Sequence, residues 1–404
     1  MTPVIGNQRG IALVITLLVV ALLTITVLEF SYFVQVDQHM ARNALNGLQA
    51  ALLARSGINL GEAFLLHDDD PAVDAFTEEW CPVAGPDARS CDIDDASGAV
   101  VLPPSLRLRV RIVDEGGKLN LNLVRFRSPE EWKRWRTAQD GDPKTKPQPL
   151  ESWRAALGRL LEGRGLDPII ADEVLDYWDR VFEARYPNLI AGRATPGVSG
   201  TPTAVANPTP GQPANPQTTQ LDLPSLDDAS VIPALTPAVI RRLRPVLTAL
   251  PSAQQRVNAN TAPPEVLRAV VGDDEAVNSI VTQRTEVPMK QTDLVSILAG
   301  LNQGGATSRN YAGTMLGVTS SFYLIRASGV VNPNPLTGRG GISRSASMLV
   351  QRLRRAPRPG VAASAVPWTL TQLDWQKEGG LGLFREGPEP GMESDGQVDS
   401  GLGR

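Results

Sequence analysis

Histidine and cysteine are scarce in this chain of 404 residues, which contains two of each. The histidines, His39 and His67, lie in or next to a predicted helix, and no G-x-S-x-G, H-E-x-x-H or phosphate-loop motif occurs. Basic residues are not in excess either, because 39 Lys and Arg oppose 43 Asp and Glu. We therefore predict a protein that is not an enzyme and does not bind nucleic acid.

The two cysteines, Cys81 and Cys91, are separated by nine residues that include Pro82, Gly85 and Pro86. Such a turn-rich segment can bring the two sulfurs together, and an even cysteine count in an exported chain is typical of a disulfide. We predict a Cys81–Cys91 disulfide, which would stabilise the fold by about 2–3 kcal/mol. A pair of free thiols or half of a metal site is the alternative.

Charge is absent from Ile11 to Leu28, an eighteen-residue run of Ile, Leu, Val, Ala and Thr. As a helix of about 1.5 Å per residue the run covers roughly 27 Å, close to the hydrocarbon thickness of a bilayer. A secretory signal peptide has a shorter apolar region and a small-residue cleavage site, whereas this run leads into Glu29 and Phe30. We predict a retained membrane-spanning helix with its N-terminus inside.

The segment before the run has Arg9 as its only charged side chain and ends at Gly10. This junction resembles the class III leader of type IV prepilins. In that family a membrane-embedded aspartyl peptidase cuts after the glycine and methylates the new N-terminus. The resemblance implies cleavage between Gly10 and Ile11 and an N-methylated Ile11. An ordinary single-pass anchor is the alternative.

The helix is predicted to continue beyond the membrane. No proline occurs between the run and Pro71, and Ala41, Leu45, Leu48 and Leu52 recur at helical intervals. We predict one helix to about Leu66, whose second half packs a soluble domain. An amphipathic juxtamembrane helix below an unrelated periplasmic domain is the alternative.

Alternating apolar residues predict two pairs of strands. The first pair is Leu106–Ile112 and Lys118–Leu123, joined by a two-residue hairpin turn at Gly116-Gly117. The second pair is Ser321–Val331 and Ile342–Leu353. The sheet is therefore split by about 190 residues, and this interval contains helical patterns.

The interval predicts an all-helical insert, and several of its helices begin with a capping hydroxyl before proline and an acidic residue. We expect residues 194–221 and the tail 356–404 to lack a fixed structure, because Pro, Gly and polar residues dominate both. A short docking segment, Trp368–Trp375, is the apolar part of the tail. The predicted helices are Glu130–Ala138, Ser152–Glu162, Pro168–Ala184, Pro237–Leu250, Pro264–Val271, Asp274–Arg284 and Gln291–Leu298.

Two segments punctuate the insert: Asp114–Asn122, with the sequence DEGGKLNLN, and Arg256–Pro263, with the sequence RVNANTAP. Together with the leader and the split sheet they resemble the K-type minor pseudopilins of type II secretion systems. The resemblance covers about residues 1–355. It implies an α+β, pilin-like fold, in which a long N-terminal helix packs on an antiparallel sheet and a large all-helical domain is inserted between strands.

This resemblance divides the chain. The expected parts are the leader 1–10, the transmembrane helix 11–28, its continuation 29–66, a first part of the pilin-like domain 67–124, the helical insert 125–315, a second part of the sheet 316–355 and the tail 356–404. The resemblance places the chain in the bacterial inner membrane as a single-pass protein, with the bulk of the chain in the periplasm.

Ile15 departs from the general pilin pattern. Most pilins and pseudopilins have Glu at the fifth position after the cut, and a carboxylate inside a bilayer is costly unless it is paired. The Ile15 side chain is uncharged and needs no partner inside the bilayer, so this subunit can be the first in a filament. The resemblance then implies a place at the pseudopilus tip with I-type and J-type minor pseudopilins. It also implies that the prepilin peptidase and the inner-membrane secretion platform are partners.

The implied function is initiation of filament assembly and support of the export of folded proteins. The alternative is a minor pilin, or an adhesin-like or DNA-uptake tip subunit, of a type IV pilus system. Val257–Val271 resembles half of a helix-hairpin-helix module, but Asp273 and Asp274 stand where phosphate would lie and would repel it.

Members of the K-type family bind calcium, and the resemblance implies a calcium site near the cysteine pair. Asp92, Asp94 and Asp95 supply the oxygen ligands that calcium prefers. No EF-hand spacing occurs, and a solvated acidic turn is the alternative.

Overall fold

A computed structural model gives the structure of the chain. It describes residues 8–68, 70, 72–78, 80–82, 84, 90–94, 100–139, 148–187, 189, 222–251, 256–301, 311–333, 341–354 and 368–376. The predicted loop 194–221 lies outside the described residues, as do leader residues 1–7 and Asp95.

The chain begins with one long helix, α1 (Gln8–Leu66), of 59 residues. At 1.5 Å per residue it is about 88 Å long. Among the described residues, Ala12–Leu66 is the one helix that is apolar and long enough to cross a membrane, and its most apolar stretch is not buried. The predicted continuous helix up to Leu66 is therefore observed.

The second half of α1 lies on a five-stranded sheet with the order β1-β2-β7-β8-β9, in which every neighbouring pair is antiparallel. The central pairing joins β2 to β7 over nine residues, from Leu106 opposite Val331 to Asp114 opposite Tyr323. Leu108, Val110 and Ile112 of β2 point into the core, as the alternation predicts. The strands are β1 (Cys91–Asp94), β2 (Leu106–Asp114), β7 (Phe322–Val331), β8 (Ile342–Arg354) and β9 (Trp368–Gln376).

Between β2 and β7 the chain forms a helical unit with its own hydrophobic core, which includes Trp132, Trp135, Trp153 and Trp178. Four two-residue strands pair in parallel within it, β3 with β4 and β5 with β6. Its elements are β3 (Leu119–Asn120), α2 (Pro129–Gln139), α3 (Gln148–Gly163), α4 (Ile170–Arg185), α5 (Pro237–Leu243), β4 (Leu247–Thr248), β5 (Val257–Asn258), α6 (Pro264–Val271), α7 (Asp274–Glu286), α8 (Gln291–Leu301), α9 (Ala312–Met315) and β6 (Leu316–Gly317).

Local signals explain where several of these helices begin and end. Thr236 caps α5 by accepting from the Val239 N–H and is followed by Pro237, a residue favoured in the first turn. Gly272 ends α6 with a φ of 72°, the left-handed conformation that favours glycine. Asp273 then caps α7 by accepting from the Ala276 N–H. The core of the unit extends from Leu119 to Val318, slightly beyond the predicted limits 125–315.

The predicted hairpin at Gly116-Gly117 is wrong. Glu115–Gly117 form a 3-10 turn, because the Asp114 side chain accepts from the Gly116 N–H. A two-residue hairpin turn needs residues with a positive φ. Gly116 and Gly117 are both described, and neither has a positive φ. These glycines instead permit close packing, since a Cβ on Gly117 would lie 2.7 Å from Thr261 Oγ1. The predicted return strand is replaced by β3 and a 3-10 turn (Leu121–Leu123), and β2 pairs with the distant β7.

The second half of α1 packs on the sheet, but its apolar stripe does not face the sheet. Leu45, Leu48 and Leu52 are exposed, as is Ala41. The buried face carries small residues at Gly47, Ala50, Ala54, Gly57 and Gly61, together with the fully buried Ile58 and Leu65. The helix therefore presents a face rich in small residues to the sheet and leaves Leu45, Leu48 and Leu52 in solvent.

The close approach of helix and sheet explains this choice of face. A Cβ on Gly57 would lie 2.8 Å from the Ala327 Cβ, and a Cβ on Gly61 would lie 2.6 Å from the Ile325 Cγ2. A Cβ on Gly329 of β7 would lie 2.5 Å from the Ala50 carbonyl oxygen. Leucine at these positions would hold the two elements apart, so periodicity alone points to the wrong side of the helix.

Two further expectations need correction. The predicted helix Pro237–Leu250 ends at Leu243, because the following segment pairs with β3 and the Val246 carbonyl accepts from the Leu119 N–H. The tail is not structureless throughout, since Trp368–Gln376 forms β9 on the edge of the sheet beside β8. The rest of the tail lies outside the described residues.

The helix–sheet contact predicts a severe effect of a small change. Gly329→Ala should lower the free energy of unfolding by about 1–3 kcal/mol, because the added methyl group overlaps the α1 backbone. Gly158→Ala in α3 is the matched control, since its Cβ would meet nothing closer than 3.9 Å and alanine favours a helix. Denaturant titration of the detergent-solubilised chain measures both, and equal stability of the two variants would contradict the packing described.

Candidate functional site

The apolar half of α1 has no polar group that needs a partner inside a bilayer. Thr16, Thr24 and Thr26 each donate their hydroxyl to a backbone carbonyl three or four residues earlier, at 2.8 to 3.0 Å. Ile15, at the position where pilins have Glu, is 55% exposed and is likewise apolar. The segment can therefore lie in lipid without a second subunit.

Gly10 and Ile11, the residues that flank the expected cut, lie within the backbone of α1. Their side chains lie outside the described part of the chain. Cleavage and N-methylation at this junction therefore stay predictions.

Above the membrane segment, α1 carries a stripe of Leu45, Leu48 and Leu52 on the side opposite the sheet. These side chains are 55%, 58% and 56% exposed. Their spacing of three and four residues places all three side chains on one face of the helix. We name these three residues the leucine stripe. Because the other face is covered by the sheet, the stripe lies on the open face of α1.

A buried polar cluster connects the sheet to the helical unit. Asp114, at the end of β2, accepts hydrogen bonds from the Gly116 N–H at 2.7 Å, Ser320 Oγ at 2.6 Å and Asn258 Nδ2 at 3.1 Å, and a further one from Thr261 Oγ1. Asp114 is 3% exposed and Asn258 is fully buried. The segments Asp114–Asn122 and Arg256–Pro263 therefore meet at one point, which we call the junction.

The junction continues to the end of α1. Asp74 accepts from the Ser320 N–H at 2.6 Å and from the Tyr323 hydroxyl at 2.9 Å, and it pairs with the Arg352 guanidinium. Arg352 also forms an ion pair with Asp68 at 2.8 Å and donates to the Leu65 carbonyl. The guanidinium lies 4.7 Å from the centre of the Tyr323 ring. Helix, sheet and helical unit are thus held by one network.

Burial shifts the ionisation of these groups. Desolvation raises the pKa of Asp114, against the opposing effect of its hydrogen bonds with Ser320, Thr261 and Gly116. Desolvation also lowers the pKa of Arg352 to about 10, and the charge of Asp68 opposes this shift. Desolvation raises the pKa of Tyr323, so this hydroxyl stays protonated and donates to Asp74. The described groups of this network form ion pairs and hydrogen bonds that stabilise the fold, and they are not arranged for catalysis.

The segments Asp114–Asn122 and Arg256–Pro263 each contain an Asn-x-Asn pair, and the two pairs make the same kinds of hydrogen bond. Asn120 accepts from the Asn122 N–H at 3.1 Å, and Asn258 accepts from the Asn260 N–H at 3.0 Å. The second asparagine of each pair then binds both the N–H and the carbonyl of one distant residue, Leu223 for Asn122 and Met289 for Asn260. The same hydrogen-bond arrangement therefore occurs at two places in the helical unit.

Sequence reasoning found the Asp114 and Asn258 segments but missed Asp74, Ser320, Tyr323 and Arg352. A signal existed for Arg352, which occupies an inward position of β8 in line with Met348 and Val350. A charged residue in the apolar phase of a strand indicates a buried ion pair. Asp74 lies in an irregular segment without any such pattern.

The predicted disulfide partners lie in the same part of the core. Cys81 and Cys91 are both buried in the hydrophobic cluster between α1 and the sheet. The structure does not join their sulfurs. The disulfide stays a prediction.

The predicted calcium ligands lie on β1 and just after it. Asp92 and Asp94 face Arg111 and Arg109 across the strand pair, and Arg111 binds both carboxylate oxygens of Asp92 at 2.7 and 3.0 Å. Among the described residues no group of three or more His, Cys, Asp or Glu side chains could hold a metal. Asp92 therefore does not fit a calcium site while Arg111 holds it. Calcium binding stays a prediction that Asp95, outside the described residues, leaves untested.

A long helix with an apolar first half and a second half that lies on an antiparallel sheet is the pilin-like fold, and the apolar half is long enough to anchor such a chain in a membrane. Residues 257–319 match the family model described as Type II secretion system (T2SS), protein K. This segment contains the Asn258–Asn260 pair and ends at the residue before Ser320, within the junction.

The fold is similar to a chain in the crystal structure of the GspK-GspI-GspJ complex from the enterotoxigenic Escherichia coli type 2 secretion system. The similarity covers 84% of this chain and 100% of that chain, with a TM-score of 0.50 and 15% sequence identity. No curated protein matches the sequence. The family model and the fold together confirm the predicted resemblance to minor pseudopilins of the K type. Proteins of this type are structural and not enzymes, in agreement with the sequence.

The junction predicts that Asn258 is needed for stability. Asn258→Ala should lower the free energy of unfolding by about 2–4 kcal/mol, because Asp114, Ser320 and the Asp74 carbonyl each lose a buried donor. Asn278→Ala, on the exposed face of α7, should change it by less than about 0.5 kcal/mol. Denaturant titration compares the two. A loss confined to Asn278→Ala would contradict the role of the junction.

Glu78 predicts a pH dependence close to the junction. Its Oε2 accepts from the Ala75 N–H and from Trp80 Nε1, and desolvation raises the pKa from 4.5 to about 7. Because the pKa of Glu78 is higher in the folded state than its ordinary value, the protonated side chain contributes to the free energy of unfolding. This contribution is complete below pH 4.5 and is lost as the pH rises through about 7.

Glu78→Gln keeps the accepting oxygen and removes the charge. This variant should be more stable than the natural chain by about 1 kcal/mol at pH 8, a value reduced because Glu78 is partly exposed, and equally stable at low pH. Thermal unfolding at several pH values measures the difference. The same gain at every pH would show that ionisation of Glu78 is not its cause.

Proposed function

We propose that the chain occupies the tip of a type II secretion pseudopilus, where it initiates filament assembly together with I-type and J-type minor pseudopilins. The observation that carries this proposal is the exposed leucine stripe of Leu45, Leu48 and Leu52 on the face of α1 that the sheet leaves open. The solved structure with the similar fold is a complex of GspK with GspI and GspJ, which supports partners of these two types.

The membrane segment supports the initiating role. An ordinary subunit brings a glutamate into the bilayer, and this group seeks the charged N-terminus of a neighbour that is already in place. This chain has Ile15 instead, and its three intramembrane threonines in α1 are satisfied by their own helix. It therefore needs no earlier subunit, which is the condition that the first member of a filament has to meet.

The bulky helical unit supports a terminal position. It is held rigidly to the top of α1 through Asp114, Asn258 and Arg352. A subunit with such a mass above its sheet is accommodated most easily at the end of a filament, where no further subunit lies above it. In this position it would support export of folded proteins as the leading end of the pseudopilus.

Processing and location complete the proposal. The chain is inserted once in the bacterial inner membrane, with its folded part in the periplasm, and the prepilin peptidase removes residues 1–10 and methylates Ile11. It then assembles at the inner-membrane secretion platform. Mass spectrometry of the chain purified from cells with this peptidase should find an N-terminal methylated isoleucine. Retention of Met1 under these conditions would contradict the leader assignment.

The leucine stripe provides the test of partner binding. Leu48→Glu should weaken the complex with I-type and J-type partners at least about tenfold, because a charge would be buried between two apolar helices. Asn43→Glu is the matched control, since it adds the same charge at an exposed position about 170° around the helix from the middle of the stripe. Co-purification and titration with the two partners measure the effect.

Both substituted side chains are exposed, so neither variant should change the unfolding midpoint. Equal binding by Leu48→Glu and Asn43→Glu would contradict the assignment of the stripe. DNA binding in a gel shift, without binding of either partner, would instead favour the alternative of a DNA-uptake tip subunit.

A further inference from the structure

Three exposed aromatic residues follow the apolar segment directly. Phe30, Tyr32 and Phe33 are 69%, 66% and 65% exposed, and the Tyr32 and Phe33 rings meet edge to face with centres 6.4 Å apart. The sheet first covers α1 at Gly47, so these aromatic side chains lie outside the folded domain. Neither the leucine stripe nor the junction uses them.

Their distance from the start of the apolar segment matches the edge of a bilayer. A hydrocarbon core of about 30 Å takes about 20 helical residues, which places its outer boundary near Phe30 when Ile11 lies at the inner one. Glu29 is the first charged residue after the run, and Tyr32 adds a hydroxyl to an apolar ring. Tyr is among the residues enriched in the headgroup region, and Phe30 and Phe33 lie at the same depth as Tyr32.

The arrangement around the helix separates a lipid contact from a protein contact. At about 100° per residue, Phe30, Phe33 and Tyr32 cover an arc of roughly 160°. Leu45, Leu48 and Leu52 cover roughly 60° by the same measure, as expected for a contact with one neighbouring helix. Side chains spread over almost half of the circumference fit an environment that surrounds the helix.

We propose that Phe30, Tyr32 and Phe33 form an aromatic collar that lies in the headgroup region on the periplasmic side of the membrane. From Phe33 to Gly47 the helix rises about 20 Å, so the collar holds the folded domain at that height and leaves the leucine stripe clear of lipid. This inference rests on the membrane insertion that is part of the proposed function. It does not depend on the tip position.

Depth-dependent quenching of tryptophan fluorescence tests the collar. The full chain carrying Tyr32→Trp is reconstituted in phosphatidylcholine vesicles whose lipids are brominated either near the headgroup or near the end of the acyl chain. Bromine near the headgroup should quench the new tryptophan about twice as strongly as bromine near the chain end. The seven natural tryptophans all lie from Trp80 onward, and the signal of the unsubstituted chain is subtracted.

Two matched variants separate the possible failures. Leu18→Trp, in the middle of the apolar segment, should respond most to bromine near the chain end, and Leu48→Trp should respond to neither. If Leu18→Trp is quenched and Tyr32→Trp is not, or if Tyr32→Trp responds most to the deep bromine, the collar is wrong while insertion stands. If Leu18→Trp is not quenched, insertion and the collar both fail.

Discussion

The close contact between α1 and the sheet is the constraint on which the rest of the molecule depends. Gly57, Gly61 and Gly329 bring the helix and strand β7 so near that a single added methyl group would overlap a neighbour. This contact decides which face of α1 is buried. It thereby leaves the leucine stripe exposed on the opposite face.

The junction depends on the same contact. Arg352 reaches the Leu65 carbonyl because β8 lies against the last turn of α1, and Asp68 and Asp74 follow that turn directly. Asp114 and Asn258 then tie the helical unit to these groups. Three carboxylates and one guanidinium buried together are costly unless each is hydrogen-bonded, so the arrangement specifies one orientation of the helical unit on its support.

The type of element was predictable wherever the residue pattern is local. The long helix, the alternation of β2, and the strands β7 and β8 follow from periodicity, and the helices α6 and α7 follow from Pro264, Gly272 and Asp273. The hairpin at Gly116-Gly117 and the packing face of α1 were not predictable in this way. A glycine permits both a left-handed turn and a close contact, and only the neighbour at Thr261 or Ile325 shows which of these it serves. Strand β9 was missed because its pairing partner supplies most of its stability.

The sequence by itself determined the membrane segment, the absence of an intramembrane carboxylate at Ile15, the split between sheet and helical insert, and the resemblance to K-type pseudopilins. Each of these depends on residues close together in the chain or on overall composition. Only the tertiary structure decided which side of α1 is free, that Asp92 is held by Arg111, and that Asp74, Asp114, Asn258 and Arg352 meet at one point. Those relations join residues up to 278 positions apart, and no local pattern records which distant groups will share a buried site.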